Sequence, residues 1–473
     1  MSLCILGGGV AGLAAAHYAL QSSAYSRIVV VESSPRLGGW VRTIRHSDGV
    51  LYEKGPRTVR PAGEAGANTL ALVSSLGLAD SVRPVSYSQP AATNRLVLVG
   101  GKLHSLPSSL ASLFTTRPPF SRPLALALVR DLLSPRVRCE DVSLHEFVSR
   151  RLGPELAEIA VSSLVRGICA GDSREVSVHF IASHLHHLEQ TCGRVSLGLA
   201  RDWLRGWLSP GGNSRLEEEE ELVRRARGEH WAVWGLENGL ETLVETLRDS
   251  VTSQGVEVIT GAGNLNPVEA DGARLVISGD GLRSSVTADK LVLAVPASQA
   301  ALLLSRLSPE LSALLAQIPF VDVAVVNMEF KGRQVLDHEG FGFLVPRSEP
   351  QPLLGCIYDS CTFPQGNRTL LTVMTGGAWY RTMVGDRSAG EVEEQMVEEV
   401  RKILNISSRP VRSHSSLLAR CIAQYTVGHT ARLRAARQII RDQWGLRLAL
   451  AGSSYDGVGL NDSIMSAKRS VIV

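Results

Sequence analysis

The sequence predicts an α/β chain, α+β overall, in which a parallel-sheet domain is interrupted by insertions. Three observations predict it. A short apolar run, residues 3–6, leads straight into Gly7-Gly8-Gly9-Val10-Ala11-Gly12 and an Ala/Leu-rich helix. A second apolar run, residues 27–31, ends in Glu32. At the far end, a strand over residues 446–450 is followed by another glycine-spaced loop, residues 451–460. The 473 residues suffice for roughly two to four domains with a sizeable core. A chain with 44% hydrophobic and 20% charged residues is neither a disordered polyelectrolyte nor a coiled coil. A net charge of +3 excludes a nucleic-acid binder that works by bulk charge.

Each element has its chemistry. Gly7-x-Gly9-x-x-Gly12 makes a tight strand-to-helix turn: with no Cβ at Gly9 a pyrophosphate can approach the backbone, and Gly12 lets the helix, expected over residues 13–20, pack close to the sheet. Gly8, Val10 and Ala11 complete the turn, and the helix amino end turns free N–H groups toward the phosphates. Glu32, 20 residues beyond Gly12, is placed to accept hydrogen bonds from a ribose diol. Strand, turn, helix, strand and acid in register read as a Rossmann-like dinucleotide site. Residues 35–43 then resemble the Arg-x-Gly-Gly-Arg-x-x-Ser/Thr stretch of the amine-oxidase-like flavoproteins. Gly38 and Gly39 let the main chain pass over the pyrophosphate and Arg36 can neutralise it, while Trp40, standing where that pattern has its second arginine, could cover the cofactor. Gly55-Pro56-Arg57 adds a rigid turn of the kind that passes beside a flavin ring. The carboxy-terminal loop aims a second helix amino end, capped by Asn461 or Asp462 and running from residue 463 to about 469, at the same ring. FAD is therefore expected rather than NAD.

The middle of the chain breaks this pattern twice. Residues 256–259 read as a strand joining the cofactor sheet, with Val258 near the adenine. Residues 274–278 and 285–295 read as strands joined at Gly279-Asp280-Gly281. The insertions hold a Gly100-Gly101 hairpin after Asn94-Arg95, and a Pro-punctuated apolar stretch over residues 110–133. A helix over residues 195–208 mixes Leu197, Leu199, Trp203, Leu204, Trp207 and Leu208 with Arg194, Arg201 and Arg205. Tryptophan, leucine and arginine at helical spacing suit a helix lying in a lipid headgroup region. The expected organisation is a Rossmann-like FAD-binding domain (residues 1–85, 212–298 and 445–473), an inserted β-sheet substrate domain (86–98 and 299–444) and an inserted α-helical membrane-binding domain (99–211).

The whole chain resembles the animal mitochondrial type of the protoporphyrinogen oxidase family. The resemblance rests on residues 31–40 with Ser33 and Trp40 in place, Gly55-Pro56-Arg57, Asn94-Arg95, Arg150-Arg151-Leu152-Gly153-Pro154-Glu155, Arg166-Gly167-Ile168-Cys169-Ala170-Gly171, residues 340–346, and Ala451-Gly452-Ser453-Ser454-Tyr455 with Asn461-Asp462. It implies a non-covalent FAD oxidoreductase of haem synthesis that converts protoporphyrinogen IX to protoporphyrin IX with O2. Three two-electron hydride transfers to flavin N5 would each yield hydrogen peroxide. It also implies a homodimer on the mitochondrial inner membrane, facing the intermembrane space. By the same resemblance Arg95 holds a substrate propionate, Phe341, Gly342, Leu344 and Met374 line the substrate slot, and Ser33, Thr58, Ser453, Val458, Gly459 and Leu460 join the cofactor contacts. No side-chain catalyst is expected, because the cofactor carries the chemistry.

Other signals point elsewhere. Seven cysteines without C-x-x-C predict free thiols in a reducing compartment. With a strand already at residues 3–6, no cleavable targeting segment is expected. The longest uncharged stretches, residues 65–79 and 291–305, fall short of the ~18–20 residues of a membrane span. His184, His186 and His187 lack an acid or cysteine to complete a metal set, and none is expected. The acidic run 217–221 is expected to be a solvated loop or helix start. An amine oxidase with covalent flavin would offer a cysteine in the last glycine loop, and residues 451–462 have none. A flavin binder without turnover would have lost Arg95 or the Gly-x-Gly turn, and both are intact.

Overall fold

The structure, a computed structural model, describes residues 1–107, 110–208, 220–333 and 335–472. The chain forms two compact units, one of Met1–Pro84, Glu220–Pro319 and His429–Val473, the other of Val85–Glu219 and Phe320–Gly428.

The first unit is built on a five-stranded parallel sheet in the order Leu448–Leu450, Lys290–Leu293, Ser2–Leu6, Arg27–Val31, Glu257–Ile259. Its central strands are apolar throughout because both faces of the parallel sheet are buried. Leu3, Ile5, Val30 and Val292 share one core with Leu13, Ala14, Ala15, Ala16 and Ala19 of the helix Val10–Leu20, and with Leu243 and Leu247 of the helix Glu241–Ser253. Alanine suits a helix buried on nearly every side: its small side chain allows close approach.

The sequence placed several boundaries differently. The first helix begins at Val10, three residues before Leu13, because Gly9 already occupies the N-cap position. Residues 285–295 are two strands. Val286–Ala288 joins an antiparallel three-stranded sheet with Glu269–Asp271 and Arg274–Ile277, whereas Lys290–Leu293 joins the parallel sheet. Asp289 is the pivot: its carboxylate accepts from Ser2 N (2.7 Å) and Ser2 Oγ (2.9 Å). At the carboxy end the strand starts at Leu448, after a 3₁₀ turn over Gly445–Arg447. The last helix spans Leu460–Val471 with Gly459 as N-cap, so neither Asn461 nor Asp462 caps it. Asp462 lies one turn in and its carboxylate accepts from Gly459 N (3.2 Å), one half of a capping box.

The second unit is organised by a seven-stranded sheet in the order Arg412–Ala423, Phe320–Lys331, Arg368–Gly377, Gly355–Ile357, Gly342–Leu344, Arg95–Val99, Lys102–Ser105. The last two form the expected hairpin, with Gly100 (φ +59°) and Gly101 (φ +73°) both left-handed as a two-residue turn requires. One sheet face buries Leu96, Leu98, Ala324, Val326, Phe343 and Val373 against Val392, Met396 and Val400 of the helix Ala389–Ile403. That helix starts with a full capping box between Ser388 and Glu391.

The helical part of this unit includes Val195–Leu208, with the predicted bounds. The side chains of Trp207 and Leu208 lie outside the described residues, as do Ser108, Ser109 and positions 217–219 of the acidic run. Glu221 opens the helix Glu221–Gly228. The stretch 110–133 divides into Leu110–Leu113 and Leu126–Leu133, since Pro118, Pro119 and Pro123 deny the backbone a continuous helix. An ionic cluster lies here, with Asp131, Arg151 and Glu189 fully buried. Arg151 bridges Asp131 (3.3 Å) and Glu189 (2.9 Å), and Arg150 adds a second fork to Glu189 at 2.5 and 3.0 Å. Asp131 also accepts from Ser196 N (2.8 Å) and Ser196 Oγ (2.7 Å), joining Leu126–Leu133 to Val195–Leu208.

Burial alone would raise the Glu189 pKa, but hydrogen bonds from Arg150 and from Val137 N, with the two arginine charges, hold it below its ordinary 4.5. A carboxylate with a depressed folded pKa contributes stability present above its unfolded pKa and lost as pH falls toward the folded one. The urea midpoint should therefore drop as pH falls below 4.5. Arg151→Met, which leaves the buried Asp131 without its cation and Glu189 with Arg150 alone, should cost about 3–5 kcal/mol and flatten that pH dependence. An unchanged midpoint would show that the cluster contributes no net stability.

Candidate functional site

In the first unit the strands run parallel, so their carboxyl ends share one edge, and the glycine turn emerges there. A Cβ on Gly12 would lie 1.8 Å from Gly7 O, and one on Gly7 2.5 Å from Ala294 O. A Cβ on Gly8 would meet Leu37 Cδ2 at 2.3 Å. Three of the four glycines are thus required by packing. Gly9 is different: its only neighbour would be Gly39 Cα at 3.9 Å. The space before Gly9 is open, and the helix Val10–Leu20 has no side-chain cap on its first N–H groups. An uncapped amino end facing a cradle without Cβ atoms fits a pyrophosphate.

The neighbouring segments close on this turn. Gly38 N donates to Gly8 O (2.8 Å), and Gly9 pairs with Gly38 in a parallel bridge. Gly38 (φ +105°) and Gly39 (φ +57°) supply the left-handed conformations that let the loop turn back. Glu32 accepts from Gly8 N (2.7 Å) through one carboxylate oxygen and from Ser34 N (2.9 Å) through the other, with lone pairs left for a ribose. Ser33 and Trp40 are exposed beside it. Arg36 is folded onto its own loop, donating to Leu37 O (2.8 Å), to Gly39 O and to Glu241 (3.1 Å), so here it shapes the glycine crossing. Val258 pairs with Val30, one strand from the turn.

The other two predicted segments reach the same edge. Gly55 crosses under Trp40, where a Cβ would lie 2.0 Å from the Trp40 carbonyl oxygen. Pro56 and Thr58 are half-buried, Arg57 is buried, and Val59 exchanges two 2.8 Å backbone bonds with Trp234. Gly452 brings the carboxy-terminal loop within 3.7 Å of Ala11 Cβ, measured from its own ideal Cβ. Asn461 Nδ2 donates to Arg60 O (2.8 Å), tying that loop to the Gly55 segment. Ser453, Val458 and Leu460 are half-buried along it and Gly459 is exposed. Burial raises the Asp462 pKa against the pull of Gly459 N–H, and burial pushes His429, which opens the helix His429–Ile439, down to about 4. His429 is therefore neutral at physiological pH.

In the second unit the register gathers the predicted substrate residues. Gly342 pairs with Arg95, Leu344 with Val97 and Gly355, and Gly355 with Met374. Opposed residues share a face, as do residues two apart, so Arg95, Gly342, Leu344 and Met374 lie on one face. It is the face opposite the Phe343 core. Arg95 is exposed, and Leu344 and Met374 are half-buried. Phe341 flanks them, its N donating to Asn94 O (3.0 Å).

Glu241 and Leu37 carried no sequence signal: one is 205 residues from Arg36, the other an ordinary apolar residue in a loop. His184 meets Asp202 at 3.2 Å, and the His186 ring packs edge-on against Phe147 and His179. Among the described residues no group of three or more His, Cys, Asp or Glu could hold a metal ion.

Known proteins match along the whole chain. The family model of flavin containing amine oxidoreductases matches residues 10–471. Protoporphyrinogen oxidase of Bos taurus is 42% identical over 482 residues, covering 99% of this chain and 97% of that one. The Homo sapiens enzyme of the same name is 40% identical over 483 residues, with 100% and 98% covered. A solved structure from Exiguobacterium sp. 255-15 superposes with a TM-score of 0.79 at 26% identity, covering 99% of this chain and 97% of that one.

The open space at Gly9 sets a clean test. Gly9→Val should fold with a near-native urea midpoint yet purify without flavin absorbance, because the new Cβ has only Gly39 Cα near it, at 3.9 Å, and the side chain enters phosphate space. Gly12→Ala should lose both stability and flavin. Yellow Gly9→Val protein would move the pyrophosphate away from this turn.

Proposed function

Because the chain belongs to the flavin containing amine oxidoreductase family and, within it, to the protoporphyrinogen oxidases, we propose that it oxidises protoporphyrinogen IX to protoporphyrin IX in haem synthesis, with O2 as the final acceptor. The observation that carries this reading is the shared sheet face of Arg95, Gly342, Leu344 and Met374, which offers a cation beside an apolar wall. A porphyrinogen is a broad apolar disc with two propionates, and that pairing is what it needs. Bound non-covalently, FAD supplies two-electron hydride acceptance, so the six-electron aromatisation takes three turns, each releasing hydrogen peroxide.

The chain's own residues bind and orient. Arg95 projects a guanidinium fork suited to a carboxylate. Phe341, Leu344 and Met374 give the disc an apolar surface. At Gly342 (φ +133°) a Cβ would stand 2.1 Å from Cys356 O, so glycine keeps the strand pair flat beneath it. Gly7 to Gly12, Glu32, Ser33, Gly38, Gly39, Trp40, the Gly55–Thr58 turn, Val258 and the Ser453–Leu460 loop form the cofactor's seat. Arg36 holds the glycine crossing in shape and brings a positive charge to neutralise the pyrophosphate.

The protein acts on the surface of the mitochondrial inner membrane, facing the intermembrane space, as a homodimer. Among the described residues no helix is long and apolar enough to cross a membrane. What supports attachment is a panel of exposed apolar side chains in residues 99–211: Leu133 (79% exposed), Trp203 (72%) and Phe114 (71%), with Leu128, Val129 and Leu197. This division of labour keeps residues 99–211 for the membrane, 86–98 with 299–444 for the substrate, and the remainder for FAD.

The activity is tested by following porphyrin fluorescence from porphyrinogen under air while peroxide is measured. No porphyrin above the flavin-free control would refute it. Arg95→Ala should raise KM about tenfold or more with a smaller fall in kcat, because the lost contact is remote from the reacting carbon. A fall in kcat alone would remove the anchoring role. Leu133→Ser with Trp203→Ser should release the protein from liposomes at low salt while leaving detergent-phase turnover intact. Release of the parent protein by salt alone would make the attachment electrostatic.

A further inference from the structure

The second unit holds a cavity of about 300 Å³ that the oxidase reading does not use. It is lined by Arg166, Arg347, the loop Glu349-Pro350-Gln351-Pro352, Trp379, Thr382, Met383 and Gln395, and shares no residue with the sheet face that carries Arg95. Arg166 dominates it. Only 2% exposed, it donates through Nη1 to Pro346 O (2.7 Å) and through Nη2 to Leu353 O (3.3 Å), and its Nε has no partner. Its guanidinium carbon lies 4.6 Å from the centre of the Trp379 ring.

No carboxylate is bonded to this buried cation. Asp172, whose charge favours it, is bound to Arg347 Nε (3.3 Å), and Glu349 is engaged by Gly100 N (3.0 Å). Burial and the neighbouring Arg347 charge pull the Arg166 pKa down to about 10, opposed by Asp172. A buried guanidinium held by two carbonyls and an indole face, with a donor unspent, favours an incoming anion. Pro350, Pro352, Trp379 and Met383 give apolar walls. We propose that this cavity binds a flat aromatic monocarboxylate, its carboxylate directed at Arg166 and Arg347 and its ring against Trp379 and the two prolines. The site is independent of the catalytic reading and would stand if that reading fell.

The test uses the flavin-loaded protein, with 2-naphthoate as probe and 2-naphthamide as its neutral twin, read by titration calorimetry. Naphthoate should bind saturably at one site, with the amide about tenfold weaker or more, the worth of a charge-assisted hydrogen bond. Arg166→Met should weaken naphthoate by a similar factor. Should that variant fail to fold, Thr382→Trp, at an exposed lining position, should block the cavity and abolish binding. Arg95→Ala should leave the titration unchanged, which separates this cavity from a carboxylate seated at the proposed substrate face. Absent saturation, equal binding of the amide, binding that survives Thr382→Trp, or binding lost in Arg95→Ala would each overturn the proposal.

Discussion

One close approach organises the first unit: the helix Val10–Leu20 lies so near its strand that a Cβ on Gly12 would sit 1.8 Å from the Gly7 carbonyl. That contact sets where the helix amino end emerges and how near it stands to the carboxyl edge of a parallel sheet. In a sheet whose strand order continues on either side of Ser2–Leu6, that edge is where a dinucleotide finds backbone N–H groups and an aligned helix dipole. The other contributions are arranged around it. Gly38 and Gly39 bring a second backbone against Gly9, Glu32 braces the turn through Gly8 N, and Gly452 draws in the end of the chain. Arg36 and Glu241 then hold the crossing loop as a pair.

The second unit divides its work by strand alternation. Side chains of Leu96, Phe343, Cys356 and Val373 build a buried core on one face, while their immediate neighbours Arg95, Gly342, Leu344 and Met374 stand on the other. A slip of one residue in any of these strands would exchange the two sets, burying the arginine and exposing phenylalanine. The core therefore fixes the proposed binding face: the energy that specifies register lies mostly behind the sheet, and the face in front inherits its geometry.

How much of this was legible depended on how local the cause was. The glycine turn, Glu32, the Gly100-Gly101 hairpin and the helix at 195–208 rest on spacing within one or two turns of chain, and each was visible. The break at Asp289 was not, because its cause is Ser2, 287 residues away, and an apolar run offers no sign that it changes sheets midway. The last helix was placed too late because Asn and Asp read as caps, whereas Asp462 reaches back to a glycine cap from inside. The roles proposed for Arg95 and Met374 rest on family resemblance. Only pairing through Gly342 and Gly355 relates them, and such long-range pairing leaves no periodic trace.

The helical part of the second unit inverts the usual pattern, and the inversion has a physical logic. In the helix Leu126–Leu133 the one buried residue is Asp131, while Leu126, Leu128, Val129, Leu132 and Leu133 face outward. A helix that turns its leucines outward cannot be held by apolar burial, so another force must dock it. The Asp131–Arg151–Glu189 cluster supplies that force, with Ser196 and Arg194 pinning the neighbouring helix to Asp131 and to the Leu132 carbonyl. Buried ion pairs are poor sources of net stability beside well-packed leucines. Their advantage lies in direction, since a forked arginine sets both the orientation and the depth of the helices it joins. A segment that gives up apolar packing inside to display it outside is arranged for a surface that takes the place of the missing core. The lipid headgroup layer proposed above would be such a surface, giving the exposed leucines and Trp203 the burial that the fold itself withholds.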